Sequence, residues 1–263
     1  MTADGPSSSG DEVLGIDIGG SSVKAALVDV GRGAPSGAVV AVDTPRPATP
    51  PALAGVVGEL ASRFGCEGRI GVTFPGVVRA GTVYTAANVD PAWIGDDAAG
   101  RFSEATGCEA IVLNDADAAG VAEAAVGAAR NEAGVVLVLT LGTGIGSALL
   151  HGGGLVPNSE FGHLVIDGHD AETTTSARVK VDEELSWAEW SGRLDRYLHY
   201  VDALVNPDLI VIGGGISAEH ERFLPLLTLR TPVTAARLGN DAGIVGAALA
   251  ARSGIPVRGR NAP

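Results

Sequence analysis

Lysine is almost missing from this chain: Lys24 and Lys180 are the only two in 263 residues. With a formal net charge of −13, the protein as a whole repels nucleic acid and anionic membrane surfaces, so neither is expected as a partner. Any anionic ligand has to be held by a local cluster of backbone amides and a few cations. Cysteine is scarce as well. Cys66 and Cys108 are too few and too far apart in sequence for a disulfide framework, and read as reduced, small core residues. No apolar run reaches the ~18 residues that a membrane span needs. The opening MTADGPSSSGDE has neither a basic nor an apolar segment. It reads as a polar tail rather than a secretory signal, which makes a cytoplasmic location the expectation.

Apolar residues make up 46% and charged residues 19%, the balance of a globular protein. The length suits one large domain or two small lobes. VLGIDI (13–18) is an apolar run with one acid in it, followed by Gly19-Gly20-Ser21-Ser22 and VKAALVDV. This predicts strand, tight turn, strand. A third strand is expected near Val39–Val42, and the prolines of PRPATPP are placed to start a helix over Ala52–Phe64. RIGVTF (69–74) and AIVLND (110–115) read as buried strands, and DADAAGVAEAAVGAA as a helix. GVVLVLTL (134–141), then GTGIGSALLHGG, repeats the strand–Gly turn–strand pattern of 13–30, a weak internal duplication. From Glu183 to Val205 the helical spacing of Trp187, Trp190, Leu194, Tyr197, Leu198, Val201 and Leu204 predicts a helix whose aromatics face the core. DLIVI (208–212) is a strand running into Gly213-Gly214-Gly215, and DAGIVGAALAA (241–251) is a closing helix. Strands and helices in this order argue for an α/β protein of two lobes packed around a cleft.

Four features sit at the C-terminal ends of apolar strands, where α/β folds gather ligands. Asp17, with Gly19, Gly20, Ser21 and Lys24, could present backbone amides to phosphate oxygens, with Asp17 holding a hydrated Mg²⁺. A plain hairpin turn is the alternative. Gly142-Thr143-Gly144-Ile145-Gly146 offers a second such turn. Neither ends in Gly-Lys-Ser/Thr, so the P-loop is excluded. Both lead into strands, which argues against a dinucleotide fingerprint. Asn114-Asp115 places an acid where a strand meets a helix N-terminus. There it stays ionised and can accept a proton, or it caps the helix. Glu160-Phe161-Gly162-His163, with Glu172, supplies carboxylates and an imidazole suited to the hydroxyls of a polyol. A closed zinc site lacks ligands here, because neither cysteine follows His163 and only His169 is close in sequence.

Together these residues make the chain resemble the ROK family of sugar kinases and, within it, the polyphosphate glucokinase branch. The resemblance runs through GIDIGGSSVK, GVTFPGVV, TAANVD with WIG, LNDADAAGVAE, LTLGTGIGSAL, PNSEFGHL, NPDLIVIGGGIS, RTPV and NDAGIVGAA, from Gly15 to about Ala248. It implies an actin-like/hexokinase-like (ribonuclease H-like) two-lobed fold with a central cleft. A small lobe would hold 13–114 with the C-terminal helix 241–252, and a large lobe 115–240. It also implies phosphoryl transfer to the glucose 6-hydroxyl, with Mg²⁺ and with polyphosphate and/or ATP as donor. By the resemblance Asp115 is the catalytic base. Asn88, Asn114, Glu160, His163 and Glu172 are sugar ligands. Gly19, Gly20, Ser21, Lys24, Thr143 and Gly144 hold donor phosphate, and Gly213, Gly214 and Gly215 form the loop at the nucleotide end. A homodimer is expected from the family.

Many family members carry a cysteine-rich zinc motif after the EFGH-like segment. Its absence here implies no zinc and suits the polyphosphate branch. The short polar start leaves no room for the helix-turn-helix of the family's repressors. One departure concerns the donor. The branch is lysine-rich after GGGIS, whereas this chain reads AEHERF, with Arg222 its only fixed positive charge. An ATP-dependent glucokinase and a non-catalytic sugar-responsive regulator are therefore the rival readings.

Overall fold

The computed structural model describes residues 12–254, so the polar tail expected at the N-terminus lies outside them, apart from Glu12, which opens the first strand. The chain forms two compact units. One runs to Leu113 and resumes at Gly243; the other is Asn114–Ala242.

The first unit begins with β1 (Glu12–Ile18) and β2 (Ser22–Asp29), paired antiparallel across the Gly19–Ser21 turn. Short strands β3 (Ala34–Pro35) and β4 (Val40–Asp43) both pair with β2. Helix α1 (Pro50–Phe64) starts with proline at its first positions and ends on Gly65 at φ 58°, where the lack of a Cβ permits the left-handed cap. Then come β5 (Arg69–Phe74), parallel to β1, the small hairpin β6 (Val78–Arg79) and β7 (Thr82–Val83), α2 (Ala98–Thr106) and β8 (Glu109–Asn114). The sheet order is β3-β2-β1-β5-β8. Its core packs Ile16, Ile18, Leu53, Val57, Phe74 and Phe102 around Trp93, whose indole N–H donates to the Ala48 carbonyl at 3.0 Å.

The cysteines meet in this unit. Cys66 follows the cap of α1 and Cys108 follows that of α2, and their sulfurs lie 2.7 Å apart as free thiols. Burial pushes the Cys66 thiol up to about 12. The 42-residue separation concealed this pairing, because it depends on how α1 and α2 pack.

The second unit starts with α3 (Asp115–Val126), β9 (Val135–Leu141), β10 (Ile145–His151) and β11 (Gly154–Val156). A two-stranded hairpin, β12 (Val165–Ile166) and β13 (His169–Asp170), leads to α4 (Glu172–Thr175) and α5 (Ala177–Asp182). Helix α6 (Trp187–Val205), β14 (Leu209–Gly213) and β15 (Val233–Ala235) complete the unit. The sheet order is β11-β10-β9-β14-β15. The internal duplication read in the sequence therefore extends to topology. In each sheet an antiparallel hairpin (β1–β2, β9–β10) is joined on its first strand by a parallel one (β5, β14).

The single helix expected from Glu183 to Val205 is shorter. Ser186 caps α6, its hydroxyl taking the Glu189 N–H while the Glu189 carboxylate takes the Ser186 N–H, so the helix cannot begin at Glu183. Trp190, Leu194, Tyr197, Leu198 and Val201 are buried as the spacing predicts. Leu204 is 64% exposed, because the inner face passes from Val201 to Val205. The last helix, α7 (Ala242–Ser253), returns to the first unit. There Gly71 lets the helix backbone approach so closely that a Cβ would fall 1.9 Å from the Ala247 carbonyl oxygen. Among the described residues no helix is long and apolar enough to cross a membrane.

The second core hangs on Trp190, fully buried, edge-on to Phe223 at 5.3 Å and donating to the Thr175 carbonyl at 2.9 Å. Trp190→Ala should cost about 3–5 kcal/mol in denaturant unfolding; a loss under about 1 kcal/mol would contradict this packing.

Candidate active site

Helix α3 begins at the edge of β8 because Asn114 caps it. The Asn114 side-chain oxygen accepts the N–H groups of Ala116 (2.8 Å) and Asp117 (3.0 Å). The cap is therefore Asn114, not Asp115, which corrects the structural alternative considered for the acid. Asp115 takes the first helical position with its side chain exposed. Its Oδ1 accepts the Ala116 N–H at 2.9 Å.

Two residues on from Asp115, Asp117 is buried, with one carboxylate oxygen taking the Asn158 N–H at 2.8 Å. Its other oxygen, Oδ1, has no hydrogen-bond partner. Burial, with smaller contributions from Glu160 and Asp115, pushes Asp117 up to about 7 against the pull of the Asn158 N–H. Sequence reasoning missed this residue, because an acid in an alanine-rich helix that also carries Asp115 and Glu123 reads as part of a solvated face. Asp117 ties the chain before Glu160 to the helix that carries Asp115. Ser147 ties the same loop to β10. Its hydroxyl donates to the Ser159 carbonyl (2.7 Å) and accepts the Phe161 N–H (3.0 Å).

That loop delivers Glu160 and His163 on either side of a short 3-10 turn, Phe161–His163. The turn presses against β10: a Cβ on Gly162 would stand 2.0 Å from the Ile145 carbonyl oxygen. Glu172 reaches the same point from α4. Its Oε2 accepts the Ile145 N–H at 3.2 Å and lies 2.3 Å from where a Cβ of Gly144 would be. Glu160, His163 and Glu172, expected from the sequence as sugar ligands, are thus brought together against the Gly142–Gly144 turn between β9 and β10. Burial pushes the Glu160 carboxyl above its ordinary range, offset by His163 and reinforced by Glu172.

Asp170 joins them, its Oδ2 2.9 Å from His163 Nδ1. It too was missed, since it lies across the β12–β13 hairpin, which sequence reading did not detect. His163, Asp170 and Glu172 present ligand-type atoms within 4.8 Å of one another. Three donors lie where the sequence offered only His169 as a neighbour, one short of the four that a closed zinc site needs.

Other expected residues fall into place in separate units. Gly214, at φ 81°, abuts the end of β9, where a Cβ would come 2.3 Å from the Leu141 carbonyl oxygen. Gly213 ends β14, and Gly215 opens the next 3-10 segment. In the first unit, Gly19 and Gly20 form the β1–β2 turn, closed by a Gly19 N–H to Ser22 carbonyl bond of 3.0 Å, with Ser21 exposed. Asn88, exposed and at φ 61°, stands against Gly20. It belongs to the first unit, whereas the other sugar residues lie in the second.

Asp17 is opposite Lys24 in the β1–β2 register and accepts the Thr73 hydroxyl on Oδ1 at 2.7 Å. Burial pushes its carboxyl up, opposed by Thr73 and by Lys24. Its second oxygen has no hydrogen bond from the described residues. A carboxylate oxygen left without a protein partner is the kind of donor that Mg²⁺ takes beside waters and substrate phosphates, so Asp17 fits that ion.

This geometry is that of a sugar kinase. The ROK family model matches residues 13–184, and the chain belongs to the ROK family, with its actin-like/hexokinase-like mixed α/β fold. It is 47% identical over 238 residues to the polyphosphate glucokinase of Mycobacterium tuberculosis, covering 90% of each chain. It is 48% identical over 243 residues to that of Mycobacterium leprae, covering 92% of this chain and 75% of the relative. Among solved structures, the inorganic polyphosphate/ATP-glucomannokinase of Arthrobacter sp. strain KM superposes with a TM-score of 0.88 at 46% identity, covering 92% of this chain and 99% of that one.

Asp117 provides a pH test. Its folded-state pKa is raised from 3.8 to about 7. The stability it contributes is therefore fully present below about pH 4 and is lost as pH rises through about 7. The loss amounts to at most about 4 kcal/mol at 1.36 kcal/mol per unit. Asp117→Asn should flatten the fall in unfolding free energy between about pH 4 and 7; an unchanged slope would contradict the burial of a titrating acid here.

Proposed function

We propose that this protein is a glucokinase that moves the terminal phosphoryl group of inorganic polyphosphate, and of ATP, to the 6-hydroxyl of glucose. One observation carries the reading. An exposed carboxylate, Asp115, stands at a capped helix N-terminus, and that helix is bound through Asp117 to the loop bearing Glu160 and His163. A regulator without catalysis would have no use for an acid so placed.

Glu160, His163, Glu172 and Asn114 hold the sugar hydroxyls. The 6-hydroxyl oxygen forms a bond to the terminal phosphorus while the bond from that phosphorus to the bridging oxygen breaks, and the donor leaves one phosphate shorter. The hydroxyl proton goes to the Asp115 carboxylate. Transfer of this kind is loose, so the base chiefly positions the nucleophile and takes the proton late. Gly19 closes the first turn with its own N–H, and the backbone N–H groups of Gly20 and Gly144, with Ser21, Thr143 and Lys24, stabilise charge on donor phosphates. Gly213, Gly214 and Gly215 line the end of the site toward a nucleotide. Mg²⁺, held at Asp17, would neutralise charge on the donor. Zinc has no part in this scheme.

The polyphosphate reading draws support from where the few cations fall. Arg178, in the first turn of α5, donates its backbone N–H to the Gly142 carbonyl at 3.0 Å, so α5 is fastened to the turn proposed to hold phosphate. Lys180 on that helix stacks on Trp187 with its Nζ 4.2 Å from the ring centroid, and Arg222 meets the same ring at 5.6 Å. Two cations that the sequence had only scattered thus share one indole, next to the element that leaves Gly142. A homodimer working in the cytoplasm completes the proposal.

Asp115→Asn should lower kcat by ~10²–10⁴-fold while glucose still binds. Near-normal turnover in a coupled glucose 6-phosphate assay would remove Asp115 from the base role. Arg222→Glu should raise KM for polyphosphate about fivefold, more at low salt, and leave KM for glucose unchanged. Equal shifts for both substrates would disconnect this surface from the donor.

A further inference from the structure

The polar atoms around the proposed sugar site are strongly one-sided. Glu160, Asp170 and Glu172 face His163 from the loop, from β13 and from α4, with His163 nitrogen-to-oxygen separations of 4.0, 2.9 and 4.0 Å. Ionised carboxylates only accept hydrogen bonds. In this group the imidazole alone can also donate, so which of its nitrogens carries the proton decides what the group offers a ligand.

The chain is built to settle that question. The β12–β13 hairpin reverses through Asp167 and Gly168, at φ 53° and 83°. This brings Asp170 opposite Val165 in register, and the Ala171 N–H closes on the Leu164 carbonyl at 2.9 Å. Asp170 returns beside the residue that ended the 3-10 turn. Its Oδ1 accepts the Glu172 N–H at 3.2 Å, which fixes the carboxylate, and its Oδ2 lies 2.9 Å from His163 Nδ1. A carboxylate in that position can only receive a proton from Nδ1.

We propose that Asp170 is a positioning residue for His163: it holds Nδ1–H and leaves Nε2 as the ring atom that meets the sugar. In free imidazole the proton prefers neither role strongly, and a second partner chooses the tautomer. Glu172, 4.0 Å from Nδ1, is too distant to compete for its proton, and Glu160 faces the other nitrogen, Nε2, at 4.0 Å. The same hydrogen bond, with the charges of Glu172, Asp170 and Glu160, raises the His163 pKa above 6.5 despite partial burial. Below its midpoint the ring is an imidazolium that keeps Nδ1–H on Asp170 and presents a second donor at Nε2. Above the midpoint Nε2 becomes an acceptor.

This inference rests on the glucokinase reading, but its first test needs no turnover. Nitrogen-15 spectra of the ligand-free protein report each histidine's tautomer and midpoint. There are five histidines, and His163 is assigned by its loss in His163→Gln. In the natural protein the neutral ring should carry its proton on Nδ1, with a midpoint above the ordinary value. Asp170→Ala should move the proton to Nε2 and lower the midpoint. Asp170→Asn, which keeps an acceptor oxygen without charge, should lower the midpoint while retaining Nδ1–H. Glucose KM should rise roughly tenfold in Asp170→Ala with a smaller change in kcat. An unchanged tautomer and midpoint in both variants would overturn the proposal, as would an unchanged glucose KM beside altered spectra. Absence of kinase activity in the natural protein, with the spectra as expected, would overturn the glucokinase reading and leave the Asp170–His163 pairing standing.

Discussion

The second unit depends on how closely backbone approaches backbone at the start of β10. Gly162 has no room for a side chain, and so lets the Glu160–His163 turn press onto Ile145; Gly144 leaves space for the Glu172 carboxylate to reach the Ile145 N–H. A methyl group at Gly162 would push its turn off the Ile145 backbone, whereas one at Gly144 would displace only the end of the Glu172 side chain. The acidic residues proposed to hold the sugar and the turn proposed to hold the donor are therefore packed on one another, and the first of them owe their positions to the absence of two Cβ atoms.

Around that point the polar groups are fixed by backbone hydrogen bonds rather than by opposite charges. Asn114 caps α3, Asp117 receives Asn158, Ser147 clasps Ser159 and Phe161, and Glu172 receives Ile145. In a chain of net charge −13 with two lysines, this is how carboxylates can be gathered without a matching number of cations. Burial is what raises the pKa of Asp117, Glu160 and Asp17, and at Asp117 and Asp17 it does so against their hydrogen bonds.

Strands and helices with strong periodicity were legible in the sequence, and so was the duplicated hairpin, because a Gly-rich turn between two apolar runs has few other solutions. Asp115, Glu160, His163 and Glu172 were singled out in the sequence, and the structure brings Glu160 and Glu172 each to 4.0 Å from His163. Asp170 and Asp117 were not. Asp170 is brought into place by a hairpin of two-residue strands, too short for any alternation to register, and Asp117 lies in an alanine-rich helix where one acid reads as a solvated face. The Cys66–Cys108 approach escaped for a third reason: it follows from the packing of α1 on α2, which no local pattern encodes. The extra residues at the end of the α6 stripe show the same limit, since Leu204 and Val205 exchange roles by a single step of helix rotation.

The central claim is phosphoryl transfer from an inorganic polymer to a sugar by a chain nearly devoid of lysine. Phosphorus-31 spectra of the protein incubated with glucose, magnesium and polyphosphate, with no nucleotide present, test it directly. The account predicts a growing glucose 6-phosphate resonance, matched by shortening of the polymer and by little free orthophosphate. No sugar phosphate with polyphosphate of any length, while ATP in its place supports the reaction, would contradict it.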